Sequence, residues 1–149
     1  GLSLCIARQL GNYPVQTLVI RVGNKQPLGV GAAGLALLSA MPERDIEMVI
    51  QANGGDLAMY GNMSTDNLRQ LVKTTRERGW SVVGNYAVKG VLAVGMPVFN
   101  SAGDLLAGIS VATTAERMPV TRQRAMAGFM ADALKRYGVG EGGAHSASQ

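Results

Sequence analysis

A chain of 149 residues, 47% hydrophobic and 16% charged, has the size and composition of one domain with a substantial core, which excludes an intrinsically disordered chain. The net charge of +4 is mild and the basic residues are scattered, with two sets of them on predicted helices. Arg69, Lys73, Arg76 and Arg78 accompany Glu77 on one, and Arg122, Arg124, Lys135 and Arg136 share the other, a pattern of solvated surface rather than a nucleic-acid patch.

The start, Gly-Leu-Ser-Leu-Cys-Ile-Ala, has no basic region of a secretory signal, and its lack of an initiating Met points to a fragment of a longer protein. Residues 3–8 and 17–22 read as strands, rich in apolar and β-branched side chains. The intervening residues 9–16 carry Gly, Asn and Pro and read as a loop. Cys5 is the single cysteine, so no internal disulfide forms, and a buried, inert thiol in a reducing, cytoplasmic setting is the expectation.

Gly29 to Met41 is unusually small in its side chains, with a helix start near Gly31–Ala33. Pro42-Glu43-Arg44-Asp45 opens a second helix, which carries Ile46, Val49 and Ile50 and ends near Gly54-Gly55. Ser64-Thr65-Asp66 caps a third, running to Arg78 with Gly79 as its stop. Trp80 to Val88 reads as a weak strand. Gly90 to Asn100 and Leu105 to Thr113 are the strongest strands, joined by a turn at Ser101–Asp104. A last helix starts near Thr121 and stops at Gly138, with Met126, Phe129, Met130, Ala133, Leu134 and Tyr137 as its apolar stripe. Residues 140–149 are rich in Gly, Ser and Ala and read as a flexible tail. No run approaches the ~20 apolar residues that cross a bilayer, so no membrane partner is expected.

The hairpin carries the functional question, because successive strand side chains point to opposite faces. Leu92, Val94, Met96 and Val98 share one face with Leu105, Ala107, Ile109 and Val111, and the last helix is their natural cover. The other face holds Val91, Ala93, Gly95 and Pro97 beside Leu106, Gly108, Ser110 and Ala112, and is largely small. A small face under a cover implies either close backbone approach or a cavity. The small segment at Gly31–Ala33 could provide the approach, or its free helix N–H groups could meet a carboxylate.

Catalytic constellations are missing. His145, the one histidine, lies in the tail, which leaves no Ser-His or Cys-His pair and no zinc site. Glu43, Asp45, Glu47, Asp66, Glu77 and Asp104 sit where caps, helix faces and a turn explain them. No enzyme, cofactor or metal is expected.

Three blocks, taken in order, resemble the effector-binding domain of IclR-type transcriptional regulators. They are Val22–Leu28 with Ala33–Pro42; Arg76-Glu77-Arg78-Gly79-Trp80; and Gly90-Val91, Gly95–Asn100, Gly103 and Ala107–Val111. The resemblance covers residues 3–138. It implies an α/β (α+β), GAF-like fold, a central antiparallel sheet with helices on both faces. It also implies that residues 1–138 form the effector-binding domain and 139–149 a flexible C-terminal tail. A winged helix-turn-helix domain would precede this chain and bind operator DNA, within a homodimer or homotetramer.

Carried over by position, the effector site takes Gly31, Ala32, Ala33, Val83, Val91, Ala93, Ser110 and Ala112, with Tyr13 and Val15 closing it and Asn85 and Tyr86 adding polar groups. The chain departs from the family at Leu35, where a lysine is usual, and at Val82–Tyr86, which lacks the usual carboxylates. The implied ligand is a small, mostly apolar or aromatic molecule with one carboxylate or hydroxyl. A ligand-free dimerisation module and a small hydrolase or isomerase stand as alternative readings.

Overall fold

A computed structural model describes residues 1–12, 20–86 and 89–139. Its centre is the hairpin. Residues Val91–Phe99 (β4) and Leu105–Thr114 (β5) pair antiparallel, and Ser81–Gly84 (β3) pairs on the other side of β4, giving the order β3-β4-β5. The turn is tied by Asn100, whose side-chain oxygen accepts the Asp104 N–H at 2.8 Å while its backbone N–H donates to the Asp104 carbonyl at 3.0 Å. Register sets Ala93 opposite Ala112, Gly95 opposite Ser110 and Pro97 opposite Gly108, with one irregularity at Val98/Phe99. The two faces therefore divide as the alternation of side chains requires.

Among the described residues four α-helices surround the sheet: Ala32–Ala40 (α1), Glu43–Leu57 (α2), Thr65–Arg78 (α3) and Val120–Arg136 (α4). Helix α1 lies on the small face of the sheet, against Gly95 and Gly108, and α4 packs beside β4 on the other. The chain is α+β, with helices on both faces of an antiparallel sheet.

Helix α3 shows how local sequence places an element. The Ser64 hydroxyl oxygen accepts the Asn67 N–H at 3.1 Å, and Asn67 Oδ1 accepts the Ser64 N–H at 3.1 Å, a reciprocal cap that satisfies two free donors. Gly79, left-handed with φ 93°, ends the helix without the penalty a Cβ would bring. Leu68, Val72 and Thr75 form its buried line. Arg76 then joins three helices: it donates to the Ser39 carbonyl at 2.8 Å and the Met41 carbonyl at 2.7 Å, and pairs with Glu43.

Two clusters make the core. One gathers Leu35, Leu38, Ile46, Ile50, Leu57, Leu68 and Val83 between the α1–α3 layer and the sheet. Leu35, where a lysine was the family expectation, is fully buried in it. The other joins Val94 and Met96 to Met118, Ala127 and Met130 under α4.

The strand expected over Trp80 to Val88 is described only as Ser81–Gly84, Val111 on the bulky face is exposed and Cys5 is half-buried rather than buried; two further differences have a visible cause. Of residues 3–8 only the start is strand, because β1 spans Leu2–Leu4 and pairs with Lys25–Pro27 (β2). Residues 17–19 lie outside the described residues, and 20–22 are not strand. Here Asn24 curls the chain: its N–H donates to the Arg21 carbonyl at 3.0 Å and its Oδ1 accepts the Arg21 N–H at 2.8 Å. A turn so closed ends the pairing. The second difference is in α4, whose buried line is Ala127, Met130 and Leu134. Phe129 is 64% and Tyr137 84% exposed. The small Ala127 faces the sheet instead, and the stripe is rotated accordingly.

Candidate functional site

The expected site residues divide by burial. On the sheet, Val83 stands opposite Ala93, and Ala93 opposite Ala112, so one row crosses all three strands on the face that meets α1. Val83 is buried and Ala93 half-buried, both against the α1–α3 core. Ser110 and Ala112 are exposed, and Val91 is half-buried. On the helix, Ala32 is buried while Gly31 and Ala33 are half-buried. Asn85 is exposed with φ 63°, and its side-chain oxygen accepts the Gly90 N–H at 2.8 Å. Tyr86 beside it is half-buried against the core. Tyr13 and Val15 lie outside the described residues.

The question left open by the small face, close approach or cavity, is answered by close approach at two positions. At Gly95 a Cβ would lie 2.5 Å from the Ala32 carbonyl oxygen and 2.6 Å from its carbon. At Gly108 a Cβ would collide with the Ala33 carbonyl oxygen and stand 3.1 Å from Leu37 Cγ. Backbone fills the space there, so Gly95 and Gly108 are contact points of α1, with no room for a ligand. Ser110, directly across from Gly95, and Ala112 beyond it carry side chains that α1 does not cover.

The start of α1 supplies the polar part of this corner. Its N-cap, Gly31, has no side chain to cap the helix, and the first intrahelical bond runs from the Leu35 N–H to the Gly31 carbonyl at 2.9 Å. The N–H groups of the first turn thus have no intrahelical acceptor and carry the positive end of the helix dipole. The Gln26 side-chain oxygen stands 3.4 Å from where a Gly31 Cβ would be, a neighbour the sequence reading did not anticipate. It also missed Ser81, fully buried, whose hydroxyl donates to the Ala32 carbonyl at 2.6 Å. A serine in an otherwise apolar strand start was the available signal.

The ionisable groups with displaced pKa values, Glu47, Arg69 and Arg78, belong to α2 and α3. No group of His, Cys, Asp or Glu among the described residues could hold a metal ion. No helix among them is long and apolar enough to cross a membrane. Among the described residues the corner offers apolar side chains and the backbone donors of the α1 start.

Comparison with known proteins places the chain. The family described as bacterial transcriptional regulator IclR C-terminal matches residues 4–136. A curated relative, the HTH-type transcriptional regulator KipR of Bacillus subtilis (strain 168), is 27% identical over 115 residues, 72% of this chain and 45% of that protein. The chain thus spans about half the length of the curated relative it matches. Among solved structures, the Thermotoga maritima IclR superposes with a TM-score of 0.76 at 21% identity, covering 92% of this chain and 54% of the other. The Agobacterium tumefaciens repressor BlcR does so at 0.69 and 21%, covering 83% and 51%. These relatives are regulators of transcription, not enzymes, and the fold and the family model agree: the chain belongs to the IclR family, as the C-terminal domain of a bacterial transcriptional regulator.

Proposed function

We propose that residues 1–138 sense a small-molecule effector, bound where the start of α1 meets the Ser110–Ala112 segment of β5. The observation that carries this reading is the split small face: Gly95 and Gly108 are sealed by the backbone of α1, while Ser110 and Ala112 on the same face are exposed. The walls would be Val91, Ala93 and Ala112, the polar contacts Ser110 and the N–H groups of Ala32 and Ala33, and the outer rim Asn85 and Tyr86. Tyr13 and Val15 belong to the proposal by family position alone. So few polar groups suit a small aromatic or short-chain acid, its carboxylate at the helix start. Burying one ring contributes a few kcal/mol at roughly 25 cal/mol per Å².

In the same proposal the whole protein is a cytoplasmic homodimer or homotetramer that binds operator DNA through a preceding winged helix-turn-helix domain. The effector shifts the arrangement of subunits by binding one of two states more tightly. A thermal-shift series with aromatic and short-chain carboxylates tests the site. Stabilisation by at least one acid, lost in Ser110→Trp while that variant stays folded, supports it. Unchanged affinity in Ser110→Trp places binding elsewhere.

The contact at Gly95 and Gly108 also favours a second reading. In it the small face serves packing throughout and the domain only joins subunits. That reading predicts no stabilisation by any acid.

A further inference from the structure

We propose that Ser81 is a positioning residue that sets the width of the effector site and thereby the size of acid it accepts. The inference rests on the effector reading above and adds what controls its selectivity. Ser81 opens β3 opposite Gly95, and both belong to the face under α1. Its hydroxyl donates to the carbonyl of Ala32, the first residue of α1, at 2.6 Å, with no exposure to solvent. The point a Gly95 Cβ would occupy lies 2.7 Å from Ser81 Oγ and 2.5 Å from the Ala32 oxygen. The hydroxyl and the carbonyl therefore meet in the space that glycine leaves empty.

The consequence is mechanical. A helix resting on glycines alone can slide or lift by small amounts, because dispersion contacts are shallow and non-directional. A buried hydrogen bond has a defined length and angle, and in a water-excluded place it has no competitor. Ser81 thus fixes the first turn of α1 at one height above β4, while the contact of Ala33 with Gly108 supports the same turn over β5. Ala33 and Gly31 border the proposed site from the helix, and Ser110 and Ala112 border it from the sheet. The Ser81 bond therefore sets the gap between these two walls without touching the ligand. Ala32 keeps its intrahelical acceptor role when the hydroxyl is removed, so Ser81→Ala is expected to fold.

The test compares wild type and Ser81→Ala for binding of benzoate and 2-naphthoate by calorimetry, and for amide hydrogen exchange without ligand. The expected result has two parts. Preference for benzoate over 2-naphthoate falls by about tenfold or more, within what a pocket gains by excluding a larger apolar group. Exchange at Leu35 and Ala36 accelerates while Val94 and Ile109 keep their protection. An unchanged preference, with exchange either unaltered or raised evenly through the sheet, overturns the proposal and leaves Ser81 an ordinary structural hydrogen bond. If wild type binds neither acid, the effector reading fails for this ligand class and the selectivity role fails with it. The exchange pattern then decides the clamp alone, and unaccelerated Leu35 and Ala36 amides reject it.

Discussion

The two faces of the β3-β4-β5 sheet are built on opposite principles. Under α1, backbone meets backbone: the carbonyls of Ala32 and Ala33 press on Gly95 and Gly108, and the Ser81 hydroxyl ties the first of them down. Under α4, side chains mediate the contact, and three of the five buried ones, Met96, Met118 and Met130, are methionines clustered with Val94 and Ala127. The Ser81 hydrogen bond holds the α1 contact at one distance and angle. A methionine layer re-packs, because its unbranched thioether adapts to irregular gaps. In the proposed function, the face that keeps the effector corner in register is the one with the fixed contact, and the adaptable one lies behind it.

The contrast breaks most visibly at Gly95. Gly95→Ala puts a Cβ 2.5 Å from backbone that cannot give way, and overpacking of that kind is expected to cost about 3 kcal/mol or more, read as a shift of the urea midpoint. A loss under 1 kcal/mol would show that α1 floats over the sheet. Met130→Leu on the opposite face should cost less than about 1.5 kcal/mol in the same assay, as a volume-conserving swap. Equal losses at the two positions would erase the distinction.

How much of this was legible beforehand follows the same line. The cap at Ser64, the stop at Gly79 and the division of the hairpin into a bulky and a small face depend on neighbours in the chain or on strict alternation, and residues alone reveal them, though not the return bond from Asn67. Whether the small face is filled or open depends on how closely α1 approaches, which no local pattern encodes. Gly95 and Ser110 look alike in sequence, yet one is sealed and the other exposed. Ser81 belongs to the same class, since its partner carbonyl lies 49 residues away in the chain. The rotation of α4 that exposes Phe129 escaped for another reason: Ala127 is a weak apolar signal, yet its small size lets the helix face the sheet.

That rotation gives a smaller prediction. Phe129→Ser should change stability by no more than about 0.5 kcal/mol, as at an exposed position away from caps and buried networks. A loss of several kcal/mol would return Phe129 to the core.

The smallest effect concerns the layer behind α1. Arg69 on α3 grips Glu47 of α2 with two bonds, Nε to Oε2 at 3.0 Å and Nη2 to Oε1 at 2.5 Å, and also meets Asp66. The Arg69 hydrogen bonds, aided by Gln51, lower the Glu47 pKa from 4.5 to about 2. Because the folded value is the depressed one, the pair's contribution is complete above about pH 4.5 and fades as pH falls towards 2. Both groups are exposed, so the contribution is small. Glu47→Gln should flatten this part of the acid-denaturation curve and leave neutral stability little changed. An identical acid limb in the variant would show that the pair contributes nothing.

The most direct test follows amide shifts in isotope-labelled protein as aromatic and short-chain carboxylates are titrated in. The account predicts saturable shifts confined to Ala32, Ala33, Ala93, Ser110 and Ala112, with the amides of Met96, Met118 and Met130 unmoved. Shifts centred on the α4 face, or none at any residue of the α1 corner with the whole series, would contradict it.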